Sequence, residues 1–231
     1  MTALLALDTS TENCSAALLR DGRILERSEL APRRHAELIL PMIESLLAEA
    51  GIARRALDAI AVGRGPGAFT GVRLAISVAQ GIALALDLPV VPISSLAALA
   101  EDAPPDPHSP ILAVIDARMG EVYAGAFART ADGRVEPIAA EWVGPASLLT
   151  LPEHTPWTVV GSGWAAYREA IASRLAAPPR FADGARYPQA RAVARLAEFE
   201  LAGGHGVAPE QALPVYLRDK VALTLEEQRG R

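Results

Sequence analysis

One cysteine, Cys14, is all that the chain contains, so neither an internal disulfide framework nor a Cys-rich zinc site can be built from it. Aromatic residues are scarce at 5%, although hydrophobic residues make up 51%, so the core has to be assembled from Ala, Leu, Val and Ile. Surplus positive charge is lacking as well. The formal net charge of −5 argues against a broad basic face for direct nucleic-acid binding. No charged-then-apolar leader precedes Leu4. The longest apolar helix expected, over residues 70–86, carries Arg73 and Gln80 and is short for a bilayer span. These absences point to a soluble, cytoplasmic protein with no membrane partner. At 231 residues there is room for one large domain or two small ones.

What the chain does have is a pattern that occurs twice. Residues 3–8 are a short apolar run ending in Asp8 and predict a buried strand; 13–20 and 23–30 predict two more, joined across Asp21-Gly22, a strong hairpin signal. Helix 36–50, strand 58–62, helix 70–86 and strand 90–93 follow, with Ser94 or Ser95 capping a further helical segment. Four prolines in residues 103–110 then forbid regular structure. Residues 111–116 repeat the apolar run, ending in Asp116; strands 121–129 and 134–141 join across Asp132-Gly133. A helix near 145–151, strand 157–161, helix 163–174 and helix 188–202 complete the echo. The expected division is an N-terminal lobe 1–102, a linker 103–110, a C-terminal lobe 111–213 and a tail 214–231. Such a duplication predicts an α/β fold of the actin, hexokinase and Hsp70 type, its two lobes facing across a cleft, with Asp8 and Asp116 pointing into it.

Residues 63–80 are the most informative stretch. A Gly-Pro-Gly turn, Gly65-Pro66-Gly67, leads into a helix that is apolar on nearly every side, with Thr70 as its expected N-cap. Two uses are open: an anion or partner contact at the helix N-terminus, or a tight strand-to-helix turn. No Lys-Ser/Thr follows Gly71, so this is not a Walker loop. Arg73, Ser77 and Gln80 form the one polar stripe of that helix, while Leu38, Ile39, Met42, Ile43, Leu46 and Leu47 cover well over half of helix 36–50. A one-sided helix needs an apolar stripe only roughly 100° wide. Either both helices sandwich the sheet, or a leftover face docks a partner helix pair.

Leu7-Asp8-Thr9-Ser10-Thr11, Arg34-His35-Ala36-Glu37 with Leu40-Pro41, Gly63 to Arg73, Ile115 to Tyr123 and Pro214-Val215-Tyr216-Leu217-Arg218 together resemble the TsaB (YeaZ) family over the whole chain. The resemblance implies a partner subunit in bacterial threonylcarbamoylation of adenosine 37 in tRNAs that read codons beginning with A. It further implies that a TsaD-type transferase does the chemistry, that a TsaE-type ATPase joins the complex, and that tRNA is met only through the assembly. TsaD-like proteins carry two metal-binding histidines after the strand that follows the glycine turn. Laid on this chain, those positions fall on Ser95 and Leu99, neither of which replaces an imidazole. The expectation is therefore a non-catalytic subunit with no cofactor of its own. Its partner interface is expected at His35, Leu38, Ile39, Met42, Ile43, Leu46, Phe69, Thr70, Arg73, Ser77 and Gln80. The free chain is expected to be able to homodimerise.

Other readings concern the cleft. Asp8, Thr9, Ser10, Gly65, Gly67 and Asp116 are candidate nucleotide or anion contacts, and Gly161-Ser162-Gly163 could border an adenosine. Against this, the first loop carries β-branched and hydroxyl residues where glycine would let phosphates approach, and Asp116-Ala117-Arg118-Met119 is bulkier still. A strand-end aspartate bonding turn amides is the structural alternative. Arg118, Glu121 and Tyr123 either shape the groove or make structural ion pairs. His35 fits capping or a polar core contact, His108, His154 and His205 lie in loops, and Cys14 fits the core. The alternatives to a scaffold are a small-molecule kinase and a metallopeptidase of the same fold.

Overall fold

Two sheets carry the fold in the computed structural model, which describes residues 2–106, 108–153 and 156–218. In the first, β1 (Ala3–Asp8), β2 (Asn13–Arg20) and β3 (Arg23–Leu30) form an antiparallel meander. Asp21 and Gly22 turn its hairpin at φ 52° and 73°, the left-handed pair that a two-residue turn of this kind requires. β4 (Ala59–Gly63) and β5 (Val90–Ile93) run parallel to β1 on its other side, giving the order β3-β2-β1-β4-β5. Parallel neighbours need a crossover, and α2 (Phe69–Leu86) supplies it. α1 (His35–Ala50) links β3 to β4.

The second sheet repeats the scheme with β6 (Ile111–Arg118), β7 (Glu121–Arg129), β8 (Val135–Pro137), β9 (Trp142–Pro145), β10 (Thr158–Val160) and β11 (Phe181–Asp183), ordered β11-β10-β6-β7-β8 with β9 also on β7, and α4 (Ser162–Ala172) connects β10 to β11. Residues 103–106 and 108–110, between the two halves, carry no helix or strand. This is the duplicated actin- and hexokinase-like α/β fold. Four details differ from the sequence expectation. Of the expected strand 134–141 only β8 forms, because Pro137 has no N–H for the ladder and two extra residues are looped out before β9 begins at Trp142, beyond the expected end, opposite Ala124. The helix near 145–151 is β9 followed by one 3-10 turn, Ala146–Leu148, and β11 had no strong pattern of its own. Thr70 does not cap α2: Ala68 is the N-cap and bonds nothing through its side chain. The expectations attached to His154 and to the tail beyond Arg218 lie outside the described residues.

Side-chain alternation on β1 sorts the core into layers. Leu5 and Leu7 face α1 and α2, whereas Leu4 and Ala6 face the opposite way. That second face is covered from far along the chain, by α5 (Ala190–Ala202), whose inner residues Ala190, Ala192, Val193, Ala194 and Ala197 are fully buried and small enough for close approach. In exchange α3 (Ser95–Glu101), capped by Ser94, leaves the first sheet and buries Leu96 and Leu99 against β6 and β7. Each lobe therefore takes a helix from the other half of the chain. The division at 111–213 assigns α5 to the second lobe, but its contacts lie mainly on the first sheet. Arg191 on α5 fastens the joint, reaching both oxygens of Asp102 at 2.8 and 2.6 Å and Glu26 on β3 at 2.7 Å.

The Gly-rich turn does steric work. A Cβ at Gly71 would sit 2.0 Å from the Thr9 carbonyl oxygen, and one at Gly67 would sit 2.2 Å from that of Ser10. Only glycine allows α2 to dock on the β1–β2 loop, where the Ala68 N–H donates to Ser10 O at 2.7 Å and Thr9 Oγ1 donates to Gly71 O at 2.6 Å. Gly71→Ala is expected to cost about 3 kcal/mol, at the upper end of overpacking, because backbone and not a flexible side chain is in the way. Gly81→Ala on the same helix, with nothing within 4 Å of its Cβ, is expected to gain up to ~1 kcal/mol. Urea midpoints of the two variants check both signs.

Candidate functional site

Two features remain open once the core is packed: a cavity between the lobes and the outer face of α1 and α2. The cavity measures about 420 Å³. Ser10, Thr11, His35 and Gly67 line it from the first lobe, and Asp116, Arg118 and Tyr123 from the second. Its third wall is the C-terminal stretch Val215–Arg218. His35 is held at the rim, where Nε2 donates to the Thr11 carbonyl at 2.9 Å.

Most charged groups around the cavity satisfy one another, although Arg33, exposed on the first-lobe side, pairs with none of the described residues. Asp116 accepts from the Arg118 backbone and guanidinium, both at 2.7 Å, and from the Tyr167 hydroxyl at 3.1 Å. Arg118 continues across the mouth to Glu12 at 2.6 Å. Glu121 pairs with Arg218. Gly161 and Gly163 do not border the cavity: Cβ atoms there would strike Val114 on β6, so these glycines serve close packing against the second sheet. Gly65 packs against Val72 and the Val215 carbonyl. Thr9 is consumed by its bond to Gly71.

Asp8 does not reach the cavity, contrary to expectation. The side chain is fully buried, packed so tightly on Gly63 that a Cβ there would lie 2.0 Å from its Oδ2. Its Oδ1 accepts from the Ser10 N–H at 2.9 Å and the Ser10 hydroxyl at 2.8 Å, and Oδ2 accepts from the Ser95 hydroxyl at 3.4 Å. Burial raises its pKa above the ordinary carboxylate value, and the hydrogen bonds from Ser10 and Ser95 recover only part of the lost solvation. The reach of such a group toward Mg²⁺ or phosphate is closed off.

On the helix face the sequence expectation divides. Ile39, Ile43 and Leu46 turn inward and belong to the core of the first lobe, so they are not free for a partner. Gln80 is engaged too, donating to the Pro209 and Ala212 carbonyls at 3.0 and 3.2 Å. Leu38 and Met42 are half-buried, and Thr70 and Ser77 are exposed. Phe69 is 54% exposed, with the Arg73 guanidinium stacked 3.2 Å from its ring centre and 4.8 Å from that of Tyr216. Leu40 and Leu84, at 51% and 73% exposed, were missed. Heptad spacing from Thr70 through Ser77 to Leu84 was the available signal. Between the helices runs a groove of about 370 Å³, bounded by Leu40, Glu44, Gly81 and Ala85 with Ile43 at its floor. Only 28% of α2 is buried, an unusual state for a helix of mean hydropathy 1.6.

The burial of Asp8 has a measurable consequence. Its carboxyl titrates near 3.9 when unfolded and higher when folded, so the folded state holds the proton more tightly. Stability attributable to this group is complete below about pH 4 and is lost as pH rises through the folded value. Asp8→Asn keeps an acceptor for Ser10 and removes the charge. Its stability relative to wild type should therefore improve as pH is raised from about 4 to 8, as read by urea unfolding at both values.

Known proteins share this architecture. The protein-family profile described as "TsaD: tRNA N6-adenosine threonylcarbamoyltransferase" matches residues 27–224. The tRNA threonylcarbamoyladenosine biosynthesis protein TsaB of Haemophilus influenzae is 39% identical over 231 residues, covering 94% of each chain. The protein of the same name from Escherichia coli is 38% identical over 226 residues, covering 95% of this chain and 96% of its own. The solved structure of YeaZ from Pseudomonas aeruginosa is 46% identical, superposes with a TM-score of 0.85, and is covered over its full length by 94% of this chain. Identity at this level, sustained from one end to the other over a common duplicated fold, means that the chain belongs to the TsaB (YeaZ) family.

Proposed function

We propose that this protein serves in the biosynthesis of threonylcarbamoyladenosine in tRNA as a non-catalytic subunit that binds and supports a TsaD-type transferase. The modified base is adenosine 37 of tRNAs reading codons that begin with A, and a TsaE-type ATPase completes the complex. tRNA is engaged through the assembly and not by this chain alone, in keeping with its net charge of −5. The observation that carries the reading is the apolar face of α1 and α2, left uncovered beside a cleft whose charged groups, Arg33 apart, are already paired.

The positions that the resemblance aligns with metal-binding histidines support the catalytic half of the proposal. Ser95 is occupied in holding Asp8, and Leu99 is fully buried in the second lobe's core, against the backbone of Gly161. Neither leaves room for an imidazole without repacking the joint between lobes. A bilayer is a poor occupant for α2, because Gly67 and Gly71 lock its first turn onto the β1–β2 loop and its inner face is sealed on β4. A helix pair of a homologous subunit fits better: Ser77, Gly81 and Ala85 keep the outer surface low, with Leu40 and Leu84 as apolar contacts on either side. By binding the transferase more tightly in its working conformation, the subunit raises the competent fraction, limited by its affinity difference between states. A second copy of the chain can cover the same face in the absence of the transferase.

Leu40→Glu combined with Leu84→Glu tests this at exposed positions, where the fold is not at stake. Affinity for the transferase subunit, measured by calorimetry, should weaken by at least ~30-fold, on the scale of lost interface hot spots. Unchanged affinity with an unchanged thermal midpoint would overturn the interface assignment.

A further inference from the structure

Beyond α5 the chain does not stay with the second lobe. Val207 pairs with Val90, the single turn Pro209–Gln211 is held on α2 by Gln80, and residues 214–218 then cross the mouth of the interlobe cavity. On the first-lobe side, the Val215 N–H donates to the Arg64 carbonyl at 2.9 Å. The Tyr216 ring stacks beside Phe69, their ring centres 6.2 Å apart, with the Arg73 guanidinium 4.8 Å from the Tyr216 ring centre. On the second-lobe side, the Arg218 guanidinium donates to the Ala117 carbonyl at 3.1 Å and pairs with the Glu121 carboxylate.

Three residue steps of chain, roughly 10 Å when extended, separate Val215 from Arg218. The lobes cannot part at the mouth unless one anchor gives way. The other tie across the mouth, Arg118 to Glu12, is solvent-exposed on its arginine side and is worth little by itself. Arg218 is better placed, since its side chain is 22% exposed and reaches two acceptors at once. One acceptor, Ala117, is the residue at the irregularity in the β6–β7 ladder between Asp116 and Arg118, and the other, Glu121, pairs with Arg118 just beyond it. We infer that residues 214–218 are a strap holding the two lobes closed over the cavity, and that release of Arg218 opens it. The closed state is then a property of the free chain, set by its own C-terminal segment and independent of any partner.

Spin labels at Ala36→Cys on the first lobe and Leu148→Cys on the second, both exposed positions, read the lobe separation by double electron–electron resonance. Cys14 stays unlabelled, because it is buried and its thiol is pushed up to about 11. With the strap intact, one narrow distance distribution is expected. Arg218→Ala should shift it to longer distances and broaden it, and exchange of the Val215 amide should quicken by about tenfold while the amides of β1 stay protected. Tyr216→Ala, which loosens the other anchor at a half-exposed position, should do the same and stands in if the first variant folds poorly. A distance distribution identical to that of the unsubstituted strap in a folded variant overturns the inference.

Discussion

The contact between the glycine turn and the β1–β2 loop, backbone against backbone, governs the first lobe. Because Gly67 and Gly71 present no side chain, α2 begins directly on Thr9 and Ser10, and those two residues are committed to holding it. Asp8 is thereby roofed over, with Ser10 and Ser95 bonding its carboxylate and Gly63 pressed against it. In a phosphate-binding loop the glycines would leave backbone N–H groups open to an anion. Here the same residue type admits another part of the protein.

The joint between the lobes follows a related logic. α3 and α5 are exchanged between halves, so each lobe's core is completed by the other half of the chain, and Arg191 with Asp102 and Glu26 pins the crossing. Such a joint couples the stability of the two lobes, since neither buries its sheet on both faces alone. The mouth of the cleft is held differently, by polar contacts from Arg118 and Arg218 at its rim. A packed joint and a polar rim are the division expected of two lobes that keep their relation at one end and can alter it at the other.

The cavity and the helix face differ in chemical character. In the cavity, Asp116, Arg118, Glu12, Glu121 and Arg218 are paired among themselves, which leaves Arg33 as the unpaired charge among the described lining residues. On the helix face the unmet need is apolar, from Leu40, Leu84 and Phe69. Unmet apolar surface is relieved by protein, which is why the face and not the cleft carries the functional reading.

The element order of the first lobe, the repeat, the Asp21-Gly22 hairpin and the helix-start at Ser94 were legible in the residues, because hydrophobic period and turn chemistry are local properties. The family was legible too, through segments spread over the whole chain. Three things were not. Which of the many apolar residues on α1 and α2 face inward was not readable, since both helices are apolar on more than one side; only the sheet beneath them turns Ile39, Ile43 and Leu46 into core and leaves Leu40 and Leu84 outside. The burial of Asp8 was hidden because it depends on Gly63 and Ser95, which arrive from 55 and 87 residues away. The docking of α5 on the first sheet, and the return of residues 214–218 across the cleft, join segments about 90 or more residues apart, and no local pattern encodes which distant surface a helix will cover. Periodicity sets what an element is; the shape left by its neighbours decides where it lies.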